Sequence, residues 1–261
     1  MAANGQNYTL GRGELHFARF TSGNTPGTFR YIGNSPDFNF SIESEDLDHY
    51  SSDGGIREKD CSIVLEVNRT GSFTSDNINR ENLSLFLFGE ASDVVTAATT
   101  GLTESFTGLR QEDSVKIGIT PTTPAGVMGI DSATFDVQPA GGGTAFVAGV
   151  DYELDADNGL LSIIAGGAIA DGTGVDIAYD LRESTRDRVV SGDTAVEGAL
   201  IYRARNPAGE NINYYMPFIK VTPNGDFSLK GDEFQVLPFN IEILKIPGQE
   251  AIYADGAPVY S

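Results

Sequence analysis

Tryptophan is absent from this chain of 261 residues, cysteine occurs once and histidine twice. The single Cys61 excludes an internal disulfide, so packing or partners must hold the fold. One cysteine and two distant histidines, His16 and His49, cannot make a structural zinc site. Neither histidine has a nucleophile motif beside it, and no G-x-S-x-G or phosphate-binding loop pattern occurs. No catalytic residue, metal or cofactor is therefore expected. Without tryptophan the chain also lacks the aromatic platforms that sugar sites favour. No apolar run approaches the roughly 20 residues that span a bilayer. The opening MAANGQNYTLGRG has neither a basic segment nor an apolar core, so no secretory signal or membrane contact is expected, and synthesis in the cytoplasm fits. The sequons at Asn7, Asn39, Asn68 and Asn82 are then chance matches. Bases are scarce as well: 17 against 37 acids, a formal charge of −20. A surface this acidic repels nucleic acid and does not bind it by neutralising phosphates.

What is present points to β-structure. Hydrophobic residues make up 40% of the chain, with 31 Gly, 15 Phe and 10 Tyr, a composition of short strands and many turns. Alternation predicts strands over 8–20, 28–33, 37–43 and 59–69, after a loose arm at 1–6. Between the third and fourth lies a long polar, acidic loop, 44–60. A helix is predicted over about 79–88, with Asn79 as N-cap, Glu81 in the first turn, Leu83, Phe86 and Leu87 on the apolar face, and Gly89 at C′. Composition then shifts. Residues 115–180 are Gly/Ala-rich with short β segments and frequent turns, and read as an inserted or extended β region. The main domain, 1–114 and 181–261, resumes with GALIYRAR and a long strand-rich block in which Pro223-Asn224-Gly225-Asp226 marks a turn. The tail from Pro247 is expected to be a strand or arm lying on something else.

Strands 37–43, 61–68 and 239–243 each have one apolar and one polar face. The polar positions are Asn39, Ser41, Glu43, Ser62, Glu66, Asn68, Asn240 and Glu242, with Val64 the apolar exception and no Lys or Arg among them. A half-solvated antiparallel sheet explains the alternation; it does not explain the missing bases. Two acidic stretches invite a cation, Glu43–Asp48 and Asp151–Gly159. The second lacks the spacing and terminal Glu of a calcium loop and reads better as a hairpin with an Asn-Gly turn. Paired carboxylates for glycoside hydrolysis remain open in so acidic a β protein.

The run IESEDLDHYSSDGGIREKDCSIVLEVNRTGSFTSDNINRENLSLFLFG closely resembles the N-terminal half of the major tail tube proteins of long-tailed, non-contractile bacteriophages. The matching elements are Leu47 to Ser52, Gly55 to Asp60, Leu65 to Gly71 and Asp76 to Phe86. A second block, NPAGENINYYMPFIKVTPNGDFSLKGDEFQVLPFNIEIL followed by EAIYADGAPV, resembles the same family. Together the blocks cover about half of the chain; residues 90–200 match less firmly. The resemblance implies an all-β sandwich or barrel subunit with one short helix. Six such subunits form a ring, and rings stack into a hollow tube that carries the viral genome into the host. It implies that Asn39, Ser41, Glu43, Ser62, Glu66, Asn68, Asn240 and Glu242 line the lumen past which DNA slides unbound. It places Glu45, Asp46, Leu47, Asp48, His49, Tyr50, Arg57, Glu58 and Lys59 in the loop that stacks ring on ring. Partners would be further copies, the tape measure protein, and the terminator and distal tail proteins, in a virion tail assembled in the bacterial cytoplasm. An inner tube of a contractile tail is the near neighbour. An adhesive or sugar-binding β module of a tail or fimbria and a carboxylate hydrolase are the other readings.

Overall fold

The structure, a computed structural model, describes residues 8–256 and Pro258, so the expected arm at 1–6 and the sequon at Asn7 lie outside the described residues. The protein is all-β in character, 52% strand and 3% helix, with one helix among the described residues. In chain order the elements are β1 (Gly13–Ser22), β2 (Thr25–Pro26), β3 (Arg30–Tyr31), β4 (Phe38–Ser51), β5 (Glu58–Ser75), α1 (Arg80–Phe86) and β6 (Glu90–Thr96). Next come β7 (Thr99–Leu109), β8 (Ser114–Lys116), β9 (Asp136–Pro139), β10 (Tyr152–Asp155), β11 (Leu160–Ile163) and β12 (Thr173–Leu181). The chain closes with β13 (Ser184–Val190), β14 (Val196–Ala204), β15 (Ile212–Pro223), β16 (Leu237–Ile243) and β17 (Tyr253–Gly256).

Two compact units share these elements. One comprises 1–92 and 188–261, the other Asp93–Asp187. The inserted unit is wider at both ends than the 115–180 segment expected from composition, because β7 and β12 pair with each other over nearly their whole length. Its two three-stranded sheets, ordered β10-β11-β8 and β7-β12-β9, enclose a core that includes Ile117, Ile130, Val137, Leu161 and Ile177. The hairpin read in Asp151–Gly159 is there: Tyr152–Asp155 pairs with Leu160–Ile163. Asp151 caps it from the inside. Its carboxylate accepts N–H bonds from Val147 at 2.8 Å and Ala168 at 2.7 Å, which hold its pKa below the usual carboxylate value.

The first unit is built on a nine-stranded antiparallel sheet whose path runs β2-β1-β14-β15-β16-β5-β4, with β17 on β15 and β3 on β1. Its core gathers Phe17, Phe73, Leu200, Ile219, Phe239 and Ile241, with Phe73 stacked on Phe239 at 4.8 Å. The tail does lie on something: β17 pairs with Ile212–Tyr215 of β15. The Pro223–Asp226 signal opens into a loop at 224–236 in place of a tight turn.

Helix α1 covers this core. Asn79 caps it as expected, its side chain accepting from Asn82 N–H at 2.8 Å. Its C-terminus differs from expectation. Phe88, with φ +52°, takes the left-handed position, while Gly89 N–H reaches Ser84 O at 2.8 Å and Phe88 N–H reaches Leu85 O at 3.4 Å, a Schellman closure. Gly89 is there for space: a Cβ would stand 1.9 Å from the Val190 carbonyl oxygen. The buried positions are Asn82, Ser84 and Leu85, and the predicted Leu83, Phe86 and Leu87 are half-buried. The face rotates because Asn82 is bound on all sides. Its amide donates to Ile32 O (2.6 Å) and Asn77 O (2.8 Å), and its carbonyl accepts from Arg30 (2.7 Å).

Candidate functional site: a polar sheet face and its exposed hairpin

The expected polar loop at 44–60 is a β-hairpin. Strand β4 continues to Ser51 and β5 begins at Glu58, leaving 52–57 as the turn. Alternation missed the extension because both faces of SEDLDHYS (44–51) carry acids and hydroxyls, so hydrophobicity has no period there. Backbone pairing to β5 supplies the strand, in register from Phe38↔Phe73 to Ser51↔Glu58.

Register also sorts the candidate residues into faces, since directly opposed residues share one. At the base of the hairpin, Asn39↔Ser72, Ser41↔Thr70 and Glu43↔Asn68 point away from the core, as do Asn240 and Glu242 of β16. Further along, Glu45↔Glu66 extends the same face. Seven of the eight residues expected there are therefore brought onto one face. Ser62 is the correction. A bulge lies between Glu45↔Glu66 and Asp46↔Val64, adding Leu65 to β5 and switching its parity. Ser62, opposite Asp48 and bonded to its carboxylate at 2.7 Å, is thereby turned to the other face. The same switch explains Val64, the apolar exception, which now shares a face with Ile42 and Val67.

Sequence reading also missed members of the polar face. Strand β15 contributes Lys220, opposite both Glu242 and Glu197, and Thr222, opposite Asn240. The face is therefore not free of bases, as the strands first compared implied. The alternation Ile219, Lys220, Val221, Thr222 carried that signal. A concave surface of about 690 Å³ follows these residues, lined by Asn39, Ser41, Asn68, Thr70, Asn240 and Glu242 among others. Glu242 is the carboxylate of that concavity, beside Arg69, Lys220 and Lys245; by register the wider sheet face adds Glu43, Glu45, Glu66 and Glu197. Glu45 and Glu66 face one another with no opposite charge between them in the register.

Residues expected in one stacking loop are divided between the two faces of the hairpin. Glu45, Leu47 and His49 lie on the polar-sheet side; Asp46, Asp48, Tyr50 and Lys59 lie on the other. Lys59 bonds Asp48 at 2.6 Å, which with Ser62 holds the Asp48 carboxyl below its usual pKa and raises that of Lys59. Arg57, in the turn, stands over the Tyr50 ring at 5.3 Å, and Glu58 opposes Ser51. His49 meets Asp60 at 2.5 Å on an exposed surface, whereas His16 is half-buried beside Glu14. Beyond Glu43 the hairpin has no buried residue until Phe73, and Leu47, Ile63, Val64 and Leu65 are more than half exposed. Strand β4 is also an end of the sheet path, so one of its hydrogen-bonding edges is open.

An all-β protein with an inserted β unit, an acidic sheet face and an exposed hairpin is the class this geometry defines. A search of curated proteins finds no match to the chain. The chain belongs to the family described as protein of unknown function UCP028589, whose model matches residues 8–251.

Proposed function

We propose that this chain is the repeating subunit of a bacteriophage tail tube of the long-tailed, non-contractile type, assembled as stacked six-membered rings in the virion. The observation that carries the reading is the pairing, in one sheet, of a sealed apolar face with an acidic outer face that ends on an open edge strand. An open edge of fourteen residues favours closure by a neighbouring copy, since closing a sheet into a barrel removes its edges. A continuous barrel of this kind would turn Asn39, Ser41, Glu43, Glu66, Asn68, Asn240 and Glu242 inward. An inner wall dominated by carboxylates repels a passing duplex at short range, within the roughly 8 Å over which salt screens it. Lys220, opposite Glu197 and Glu242 in the register, is outnumbered by the carboxylates of that face. The exposed hairpin is suited to contact between copies through polar and apolar residues on both faces.

Deleting 47–56 tests this reading. The shortened chain is expected to fold, because no residue removed is buried, and to form neither rings nor tubes in negative-stain micrographs. Normal tubes from the deletion variant would refute the role of the hairpin. Glu66→Lys combined with Glu242→Lys is expected to permit assembly and reduce genome delivery; unchanged infectivity would place these residues away from the channel.

A further inference from the structure

The loop 224–236 presents an aromatic side chain with nothing on it. Phe234 is 99% exposed, and Leu229 of the same loop is 77% exposed. The loop is nonetheless ordered: Phe227 packs against Phe86 at 5.7 Å on the core side, and Gln235 Nε2 donates to Ser228 O at 3.0 Å. A loop anchored by one aromatic and displaying another pre-organises a contact, and large aromatic anchors are what the centres of protein interfaces select. Asp232 and Glu233 immediately precede Phe234 in the chain, and neither makes an ion pair among the described residues.

The same unit carries a surface of the matching kind. On the hairpin face opposite the acidic one, Ile42, Val67 and Val64 are 56%, 39% and 56% exposed and form an uncovered continuation of the core side of the sheet. The bulge at Leu65 creates this patch by turning Val64 onto it. Arg69, opposite Ile42, closes one end of the patch and makes no ion pair among the described residues, and Asp46, opposite Val64, lies at the other end. In a chain with 37 acids and 17 bases, the Arg69 end of this patch favours an acidic, apolar partner.

We propose that Phe234 of one copy seats on the Ile42–Val67–Val64 face of the next, with Arg69 meeting Asp232 and Glu233. This inference deepens the tube reading and rests on it for the partner being a second copy. Knob and patch are different surfaces, so the contact is head-to-tail and propagates into a ring or filament instead of closing as a two-fold dimer. Burying an anchor of this type commonly supplies enough affinity that its loss weakens association roughly tenfold or more.

The test uses full-length chains in a Cys61→Ser background. One carries Val67→Cys and the other Phe234→Cys, mixed and oxidised under assembly conditions, with Ile119→Cys replacing either partner as control. A mixed disulfide dimer well above the control is expected. Phe234→Ala is expected to raise the concentration at which assembly begins by roughly tenfold with an unchanged unfolding curve. A mixed dimer no more abundant than the control overturns the contact. Tubes without that dimer would sink the contact and keep the tube reading; the dimer without rings or tubes at any concentration would do the reverse.

Discussion

The two halves of the β4–β5 hairpin have the same backbone pairing and opposite surroundings. At the base, Phe73 and its neighbours pack into the core against Phe239 and Ile241, and the outer face is polar. Past the bulge both faces are solvated, and Leu47, Ile63 and Val64 are exposed on a two-stranded ribbon. A ribbon of two strands gains little stability from its own contacts. The base therefore holds the fold, and the arm adds little to it. Apolar side chains with no cover on a ribbon make sense where a partner supplies that cover.

Breaking the base should have the largest effect. Phe239→Ala removes the ring stacked on Phe73 at 4.8 Å and should destabilise the first unit by about 3–5 kcal/mol, read by denaturant unfolding. Next is Asn82→Leu, which strands the Ile32 and Asn77 carbonyls and the Arg30 guanidinium; about 2–3 kcal/mol is expected in the same measurement. By contrast, Leu47→Ser with Ile63→Ser in the arm should change stability by about 0.5 kcal/mol or less while suppressing assembly in light scattering. A large loss of stability there would mean that the arm belongs to the folding unit after all. The smallest effect concerns pH. Asp48 is held below its usual carboxylate pKa by Lys59 and Ser62, so its contribution to arm order is present above the ordinary carboxylate range. It fades as pH falls through the depressed pKa. Faster amide exchange at 48–62 in acid, abolished in Asp48→Asn, is the expected result.

Much of the first unit could be read from residue order. The strands with an apolar period, the capped start of α1 at Asn79 and the one-sided placement of Glu43, Glu66 and Glu242 all follow from local spacing. The strand character of 44–51 could not be read, because neither face there is apolar. Ser62 was misplaced for a related reason: parity carried along a strand fails at a bulge, and a bulge is a property of the pair. Asn82 matched a sequon and a helix position, and its burial depends on Arg30, Ile32 and Asn77 arriving from outside the helix. Lys220 was legible in its own strand but could be joined to the acidic face only through pairing with Glu242.

By itself the sequence determined an all-β chain, strongly acidic, with amphipathic strands around one short capped helix, because period, charge and capping are local quantities. Tertiary structure decided that the acidic stretch is an exposed hairpin, that a bulge exchanges its faces halfway along, and that Phe234 stands bare. Those features depend on which strand lies opposite which and on what remains uncovered, and hydrogen-bond register and burial are set by the whole chain.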